Sequence, residues 1–374
     1  MNMQMPMPSF DPERLLRSNV YSLEPYAPIV PFEVLSEQLG RQIDDIVKLD
    51  ANENPYGPSR GVHTALSEID FLHIYPDPEN RALCSALGDY TGIPSENIFA
   101  GSGADELLDL TMRLFLDPGD KIIDCPPTFG MYNFDASINA AETISVPRRE
   151  DFSLDISAIE TAVDEHSPKL LFLASPNNPD GSNLPGNDLS RLLELQLIVV
   201  VDEAYIEFAG LQHSWIDWVM QNPNLIVLRT FSKWAGLAGL RVGYGIMCPQ
   251  LIDLLMRSKP PYSVSQAAEA AVLASLNNLT YISERVTWLV AEKDRMTELL
   301  SAFKQLKPHH SDANFVLCEV RELEAQQLYE GLARLGVFVR YFNNSSLRNY
   351  LRISVGTPDE TNRLIDALGH LLNP

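Results

Sequence analysis

The chain has 374 residues, a length that favours two hydrophobic cores over one, and its 45% apolar and 21% charged residues are the balance of a globular protein. Fifty acidic against 28 basic residues leave a formal charge of −22, which repels polyphosphate chains and anionic bilayers and argues against nucleic-acid and membrane-surface roles. Four widely spaced cysteines without a C-x-x-C pattern imply neither a disulfide framework nor a thiolate metal site, and no basic start leads into an apolar run, so the expected location is the cytoplasm.

The first sixty residues hold eight prolines around one helical stretch, 32–46, and read as an extended arm. From residue 97 short apolar runs alternate with helix-period segments. Strands are expected over 97–100, 121–125, 143–146, 169–174, 197–202, 225–230 and 241–247, and helices over 104–116, 188–195 and 250–256. Seven strands joined by crossover helices make an α/β fold with one mostly parallel seven-stranded sheet. After Lys259-Pro260-Pro261 a long helical stretch, 265–303, precedes strands over 314–320, 337–341 and 351–355, the pattern of a smaller α+β domain. The expected division is residues 1–60 as arm and part of the small domain, 61–275 as the large domain and 276–374 as the small one.

The chemistry-bearing residues gather at strand ends. Gly101-Ser102-Gly103-Ala104-Asp105-Glu106 begins like a dinucleotide fingerprint, but Glu106 stands where the third glycine is needed. What survives is either a plain strand-to-helix turn or a helix N-terminus that can hold a phosphate. The strand over 197–202 delivers Asp202 at its C-terminal end, as a hydrated loop acid or a buried carboxylate awaiting a cation, with Tyr205 three residues on. The next strand is followed by Ser232-Lys233. Lys233 is placed where desolvation lowers an amine's pKa and makes it a nucleophile for a Schiff base, whereas Lys121, Lys169, Lys259, Lys293, Lys304 and Lys307 are expected in solvent. Arg241 opens the following strand, and the turn Ser175-Pro176-Asn177-Asn178-Pro179-Asp180-Gly181 lies at the same edge. A lysine, an acid for a ring nitrogen, a phenol and an amide for a ring oxygen, and a phosphate cup together describe a pyridoxal phosphate site.

Asn178-Pro179-x-Gly181, Asp202-Glu203-Ala204-Tyr205 and Ser232-Lys233 with Arg241 resemble the motif series of the fold-type I pyridoxal phosphate-dependent aminotransferases. Residues 49–58, Tyr75-Pro76-Asp77-Pro78, 228–233, 236–244 and 351–357 are similar to the blocks of the histidinol-phosphate aminotransferase family, of the class II subfamily. The resemblance implies that Lys233 binds the cofactor aldehyde and shuttles the proton, that Asp202 faces the pyridine nitrogen, and that Tyr205 and Asn178 hold the ring oxygen. It implies Ser232, Arg241 and the N–H groups of Gly103, Ala104 and Asp105 at the phosphate, joined by Tyr75 from a second subunit of a homodimer with a shared active site. Tyr26, Asn54, Arg340 and Arg352 are the implied substrate residues. The implied activity is amino transfer between L-glutamate and imidazole acetol phosphate in histidine biosynthesis. The alternatives are an aromatic amino-acid aminotransferase and a non-catalytic cofactor-binding regulator. Two departures from the family pattern stand out: Asp180 in the asparagine-proline turn, expected to bring a negative charge near the cofactor, and Trp234, expected beside the reactive lysine. His309-His310 lacks further ligands at metal spacing and is expected in solvent, so no metal is expected.

Overall fold

The computed structural model describes residues 11–21, 23 and 29–372. Its strands are β1 (Val47–Leu49), β2 (Ile98–Gly101), β3 (Lys121–Asp124), β4 (Glu142–Ser145), β5 (Leu170–Ala174), β6 (Ile198–Asp202), β7 (Leu225–Thr230), β8 (Gly243–Ile246), β9 (Leu306–Pro308), β10 (Phe315–Val320), β11 (Val337–Tyr341) and β12 (Tyr350–Ser354). Seven form one sheet in the order β2-β8-β7-β6-β5-β3-β4. The five from β7 to β4 run parallel, and β8 is antiparallel to both of its neighbours.

The central strands are apolar without interruption because the sheet is covered on both faces. Leu171, Leu173, Val199, Val201 and Val227 point into one core beside the helices Arg81–Thr91, Ile156–His166 and Gly186–Leu193. Leu170, Phe172, Val200, Ile226 and Leu228 point the other way, onto the helices Gly103–Phe115, Met131–Ile138 and Pro249–Ser258. A second sheet has the order β1-β11-β12-β10-β9, with β1 parallel to β11 and the other pairs antiparallel. No helix among the described residues is long and apolar enough to cross a membrane.

Several expected elements differ in extent. The helix of 32–46 stops at Leu39 because Gly40 turns left-handed at φ +61°, and the stretch 265–303 is two helices, Gln266–Leu276 and Leu279–Ser301. The strand expected from Arg241 begins at Gly243, with Arg241 itself left-handed at φ +51°. β1 and β9 have three residues each and no alternation long enough to mark them. Lys259 and Lys293, expected in solvent, are buried: Nζ of Lys259 donates to the Pro78 carbonyl at 2.9 Å and that of Lys293 to the Ser311 carbonyl at 2.6 Å. Their burial comes from neighbours far away in the chain.

At the edge where β5, β6 and β7 end, Ala174 pairs with Asp202 and Asp202 with Leu228. One residue further on, the alternation of side chains sends Glu203 and Arg229 to the opposite face. Arg229 Nε donates to Glu203 Oε2 at 3.0 Å, and both side chains are fully buried. Glu203 also accepts from Ser214 Oγ at 2.8 Å and from the Trp215 N–H at 2.6 Å. Breaking such a pair from one side strands a buried charge, so Arg229→Met is expected to cost about 3–5 kcal/mol in chemical denaturation. The double variant with Glu203→Gln should recover part of the loss. Equal stability of Arg229→Met and the unmodified chain would contradict this account.

Candidate active site

The two strands that end in this register deliver the two groups with acid–base capacity. Asp202 closes β6 and is 6% exposed. Burial pushes its carboxyl up to about 6, although the Tyr132 hydroxyl donates to Oδ2 at 3.0 Å and the Ala204 N–H to Oδ1 at 3.0 Å, both favouring the charged form. Lys233 lies three residues beyond the end of β7. Burial brings its amine down to about 8, and the positive charges of Arg352 and Arg241 act in the same direction. Lys233 Nζ donates to the Ala51 carbonyl at 3.1 Å. Both residues line a cavity of about 400 Å³.

One end of that cavity is built for an anion. Ala104 and Asp105, in the first turn of the helix Gly103–Phe115, line it together with Ser232 and Arg241. The first N–H groups of an α-helix have no intrahelical acceptor and carry its positive dipole end. Arg241 donates through one guanidinium nitrogen to Asp105 Oδ2 at 2.8 Å and through the other to Ser232 Oγ at 3.5 Å. Gly103 has φ +84°, and a Cβ there would stand 2.7 Å from the guanidinium, so only glycine lets the arginine lie across the helix start.

At the other end Tyr205 is buried, and burial raises its phenol above the ordinary value. Its hydroxyl accepts from Asn52 Nδ2 at 3.0 Å. Asn178 Oδ1 accepts from Arg352 at 2.7 Å, while the second nitrogen of the Arg352 fork donates to the Asp50 carbonyl at 2.6 Å. Arg340 pairs with Arg352 across β11 and β12 and lines an adjoining recess of about 490 Å³ that shares Phe129, Asn178 and Arg352 with the first cavity.

Lys233, Asp202, Tyr205, Asn178, Ser232, Arg241, Ala104, Asp105 and Arg352 thus gather around one cavity, Gly103 backs Arg241, and Arg340 stands next door. The remaining predicted residues lie elsewhere. Asn54 lines a neighbouring recess that shares Glu53, Ser232, Ala238 and Gly239 with the first cavity, and its Nδ2 donates to the Trp234 carbonyl at 2.8 Å while its Oδ1 accepts from the Tyr56 N–H at 3.0 Å. It is Asn52 that lines the cavity. The Trp234 indole lies in the core, stacked on Tyr90 at 5.7 Å with Nε1 donating to the Thr230 carbonyl at 3.1 Å, and does not line the cavity beside Lys233. Asp180 is buried inside its own turn and does not line the cavity either. His309 is half-buried between Phe152 and Tyr350, its ring centroid 5.3 and 5.8 Å from theirs, while His310 faces solvent. Tyr75 is 76% exposed and stacks on Tyr262 at 4.5 Å, outside the cavity. Tyr26 lies outside the described residues. Among the described residues no group of three or more potential ligands could hold a metal ion.

Sequence reading missed Asn52, Phe129, Tyr132 and Thr230. Phe129 and Tyr132 follow the C-terminal end of β3 and could have been found by the strand-end reasoning that found Asp202. Asn52 carried no such signal, since its direction depends on a left-handed backbone at φ +55°.

A buried acid that can share a ring proton, a buried amine, a phenol and an anion cup fit pyridoxal phosphate in charge and in donor chemistry. The family model for class I and II aminotransferases matches residues 44–368. The chain is 52% identical over 359 residues to a chloroplastic histidinol-phosphate aminotransferase of Nicotiana tabacum, covering 96% of this chain and 87% of that one. It is 48% identical to the histidinol-phosphate aminotransferase of Roseiflexus castenholzii, covering 95% and 97%. The crystal structure of histidinol-phosphate aminotransferase from Sinorhizobium meliloti in complex with pyridoxal 5′-phosphate superposes with a TM-score of 0.88 at 28% identity, covering 96% of this chain and 97% of that one.

The lowered amine value has a direct consequence in the cofactor-free chain. Reductive methylation followed by peptide mapping should show Lys233 labelling rise with pH to a midpoint near 8 and then level off, because the neutral amine is the reactive form. A midpoint near the ordinary lysine value of 10.5 would contradict the assigned burial.

Proposed function

The chain belongs to the class I and II aminotransferases, and from that premise we propose that it is a histidinol-phosphate aminotransferase, moving an amino group between L-glutamate and imidazole acetol phosphate in histidine biosynthesis. The observation that carries this reading is 52% identity along 96% of the chain to a relative of that name, together with Arg352 in the cavity of the reactive lysine and Arg340, opposite it in strand register, in the adjoining recess. Bidentate arginine suits both the carboxylate of glutamate and the phosphate of the second substrate.

Pyridoxal 5′-phosphate, when bound, supplies an aldehyde that takes up amines and a ring that draws electron density from the substrate carbon. In our reading Ser232, Arg241 and the N–H groups of Gly103, Ala104 and Asp105 hold its phosphate. Asp202 keeps a proton on the ring nitrogen. The buried carboxyl near 6 is a poor home for an uncompensated charge, and a cationic partner repairs that. Tyr205 and Asn178 hold the ring oxygen. Lys233 Nζ, unprotonated in half of the molecules near pH 8, takes the proton from the substrate carbon and returns it. Arg352 and Arg340 orient the anionic group of each substrate.

We assign Tyr75 to the phosphate of a second subunit. Its exposure, with that of Phe71, Leu72 and Ile74, supports a homodimer in which this apolar stretch is covered. The pairing of β1 with β11 supports counting part of residues 1–60 with the smaller unit, 276–374, and 61–275 as the cofactor-binding unit. A cytoplasmic location belongs to the same proposal and agrees with four free cysteines.

Steady-state assays should give kcat/KM for histidinol phosphate at least about a hundredfold above phenylalanine or tyrosine, because an arginine site left without its anion is heavily penalised. A preference for the aromatic amino acids would replace this substrate assignment with the aromatic alternative. Borohydride reduction of the holoenzyme should attach the cofactor to the peptide carrying Lys233. Attachment elsewhere, or none, would refute the assigned amine.

A further inference from the structure

Asn177 and Asp180 flank Asn178, the amide that reaches the cavity, and neither lines it. Asp180 is 2% exposed. One of its carboxylate oxygens accepts from the Ser182 N–H at 3.0 Å, and the other accepts from Nδ2 of Asn177. A carboxylate has no hydrogen to offer, so it decides which end of the Asn177 amide faces it. The NH2 end turns to Asp180 and also donates to the Pro127 carbonyl at 3.1 Å. The oxygen end is left to accept from Thr128 Oγ1 at 2.7 Å. Thr128 immediately precedes Phe129, whose ring lines the cavity and meets Tyr132 edge-on at 5.7 Å, and Tyr132 donates to Asp202.

We propose that Asp180 is a positioning residue that, through the fixed amide of Asn177 and the hydroxyl of Thr128, sets the Phe129 wall of the cofactor cavity. The side chain at 180 thereby acts on the cavity without touching it. An acceptor-only group there reinforces the Pro127 carbonyl in holding the amide this way round. A side chain that could donate would leave the Pro127 carbonyl as the one acceptor holding the NH2 end, loosening the amide and with it the Thr128 contact. The inference rests on the reading of the cavity as a pyridoxal phosphate site.

The test uses the full chain as Thr128→Val and Asp180→Asn variants. The valine has the shape of threonine and removes only the last link, while the asparagine keeps the size of aspartate and removes its obligate acceptor character. Both are expected to weaken pyridoxal phosphate binding about tenfold, the scale of one lost buried hydrogen bond. Both should also change the visible circular dichroism of the bound cofactor, while the cofactor-free chains stay folded with only the small loss of stability that one hydrogen bond accounts for. A purely structural role would lower the unfolding temperature and leave the dichroism of the bound cofactor as it was. Unchanged binding and dichroism in Thr128→Val overturns the relay whatever Asp180→Asn does, and Thr128→Val decides alone if Asp180→Asn does not fold. Failure of the unmodified chain to bind pyridoxal phosphate overturns the cofactor reading and this inference with it, an outcome distinct from variants that match a binding-competent parent.

Discussion

The 3.0 Å ion pair between Glu203 and Arg229 ties together the ends of β6 and β7 on the sheet face opposite the cavity, directly behind Asp202 and ahead of Lys233. A parallel sheet already brings strand ends to one edge, but their relative height and twist would be free to drift where the ladder stops. A fully buried arginine bonded to Glu203 and also to Ser214, at 2.6 Å, removes that freedom. Asp202 and Lys233 therefore stand on a rigid base, which a cavity that must hold an acid and an amine in fixed relation requires.

The electrostatics invert the character of the whole chain. A net charge of −22 surrounds a cavity whose lining includes Lys233, Arg241 and Arg352 against Asp202, Asp105 and Glu53, with Arg340 in the adjoining recess. Burial works against the charges of Lys233 and Asp202, whereas the Asp105, Glu53 and Arg241 side chains are about half exposed. It lowers the amine of Lys233 and raises the carboxyl of Asp202, so both groups sit near neutrality in their titration. That is the range in which a proton is moved at least cost.

The smaller sheet closes the site through short polar links. Asn52, in the segment after β1, accepts at Oδ1 from Ser354 Oγ at 2.7 Å and donates to Tyr205 at 3.0 Å, joining the end of β12 to a residue that follows β6. The Asn178 turn docks on the same unit. Gly181 has φ +81°, and a Cβ there would fall 2.0 Å from Ser311 Oγ. The Asp312 N–H donates to the Gly181 carbonyl at 2.9 Å. The turn that carries Asn178 is thus held between the two sheets, and the ladder that sets Phe129 starts inside it.

Much of this was legible in the residues. Uninterrupted apolar runs such as Leu197 to Val201 mark buried parallel strands, and such strands must present their carboxyl ends together. Asp202, Lys233 and Asn178 could therefore be assembled into one site without coordinates. The side chains that escaped or misled this reading, Asn52 unmarked, Trp234 as a neighbour of the lysine and Lys259 and Lys293 as solvated, share a different cause. Their directions are set by a left-handed residue at 52, by an aromatic stack on Tyr90 and by carbonyls distant in sequence. The sequence by itself determined the sheet, the edge and the chemical types gathered there, because hydrophobic period and strand polarity are local properties of the chain. Only the tertiary structure decided which of two nearby asparagines faces the phenol and which acid stays behind the wall, because a side chain's direction is fixed by packing partners that the linear order does not reveal.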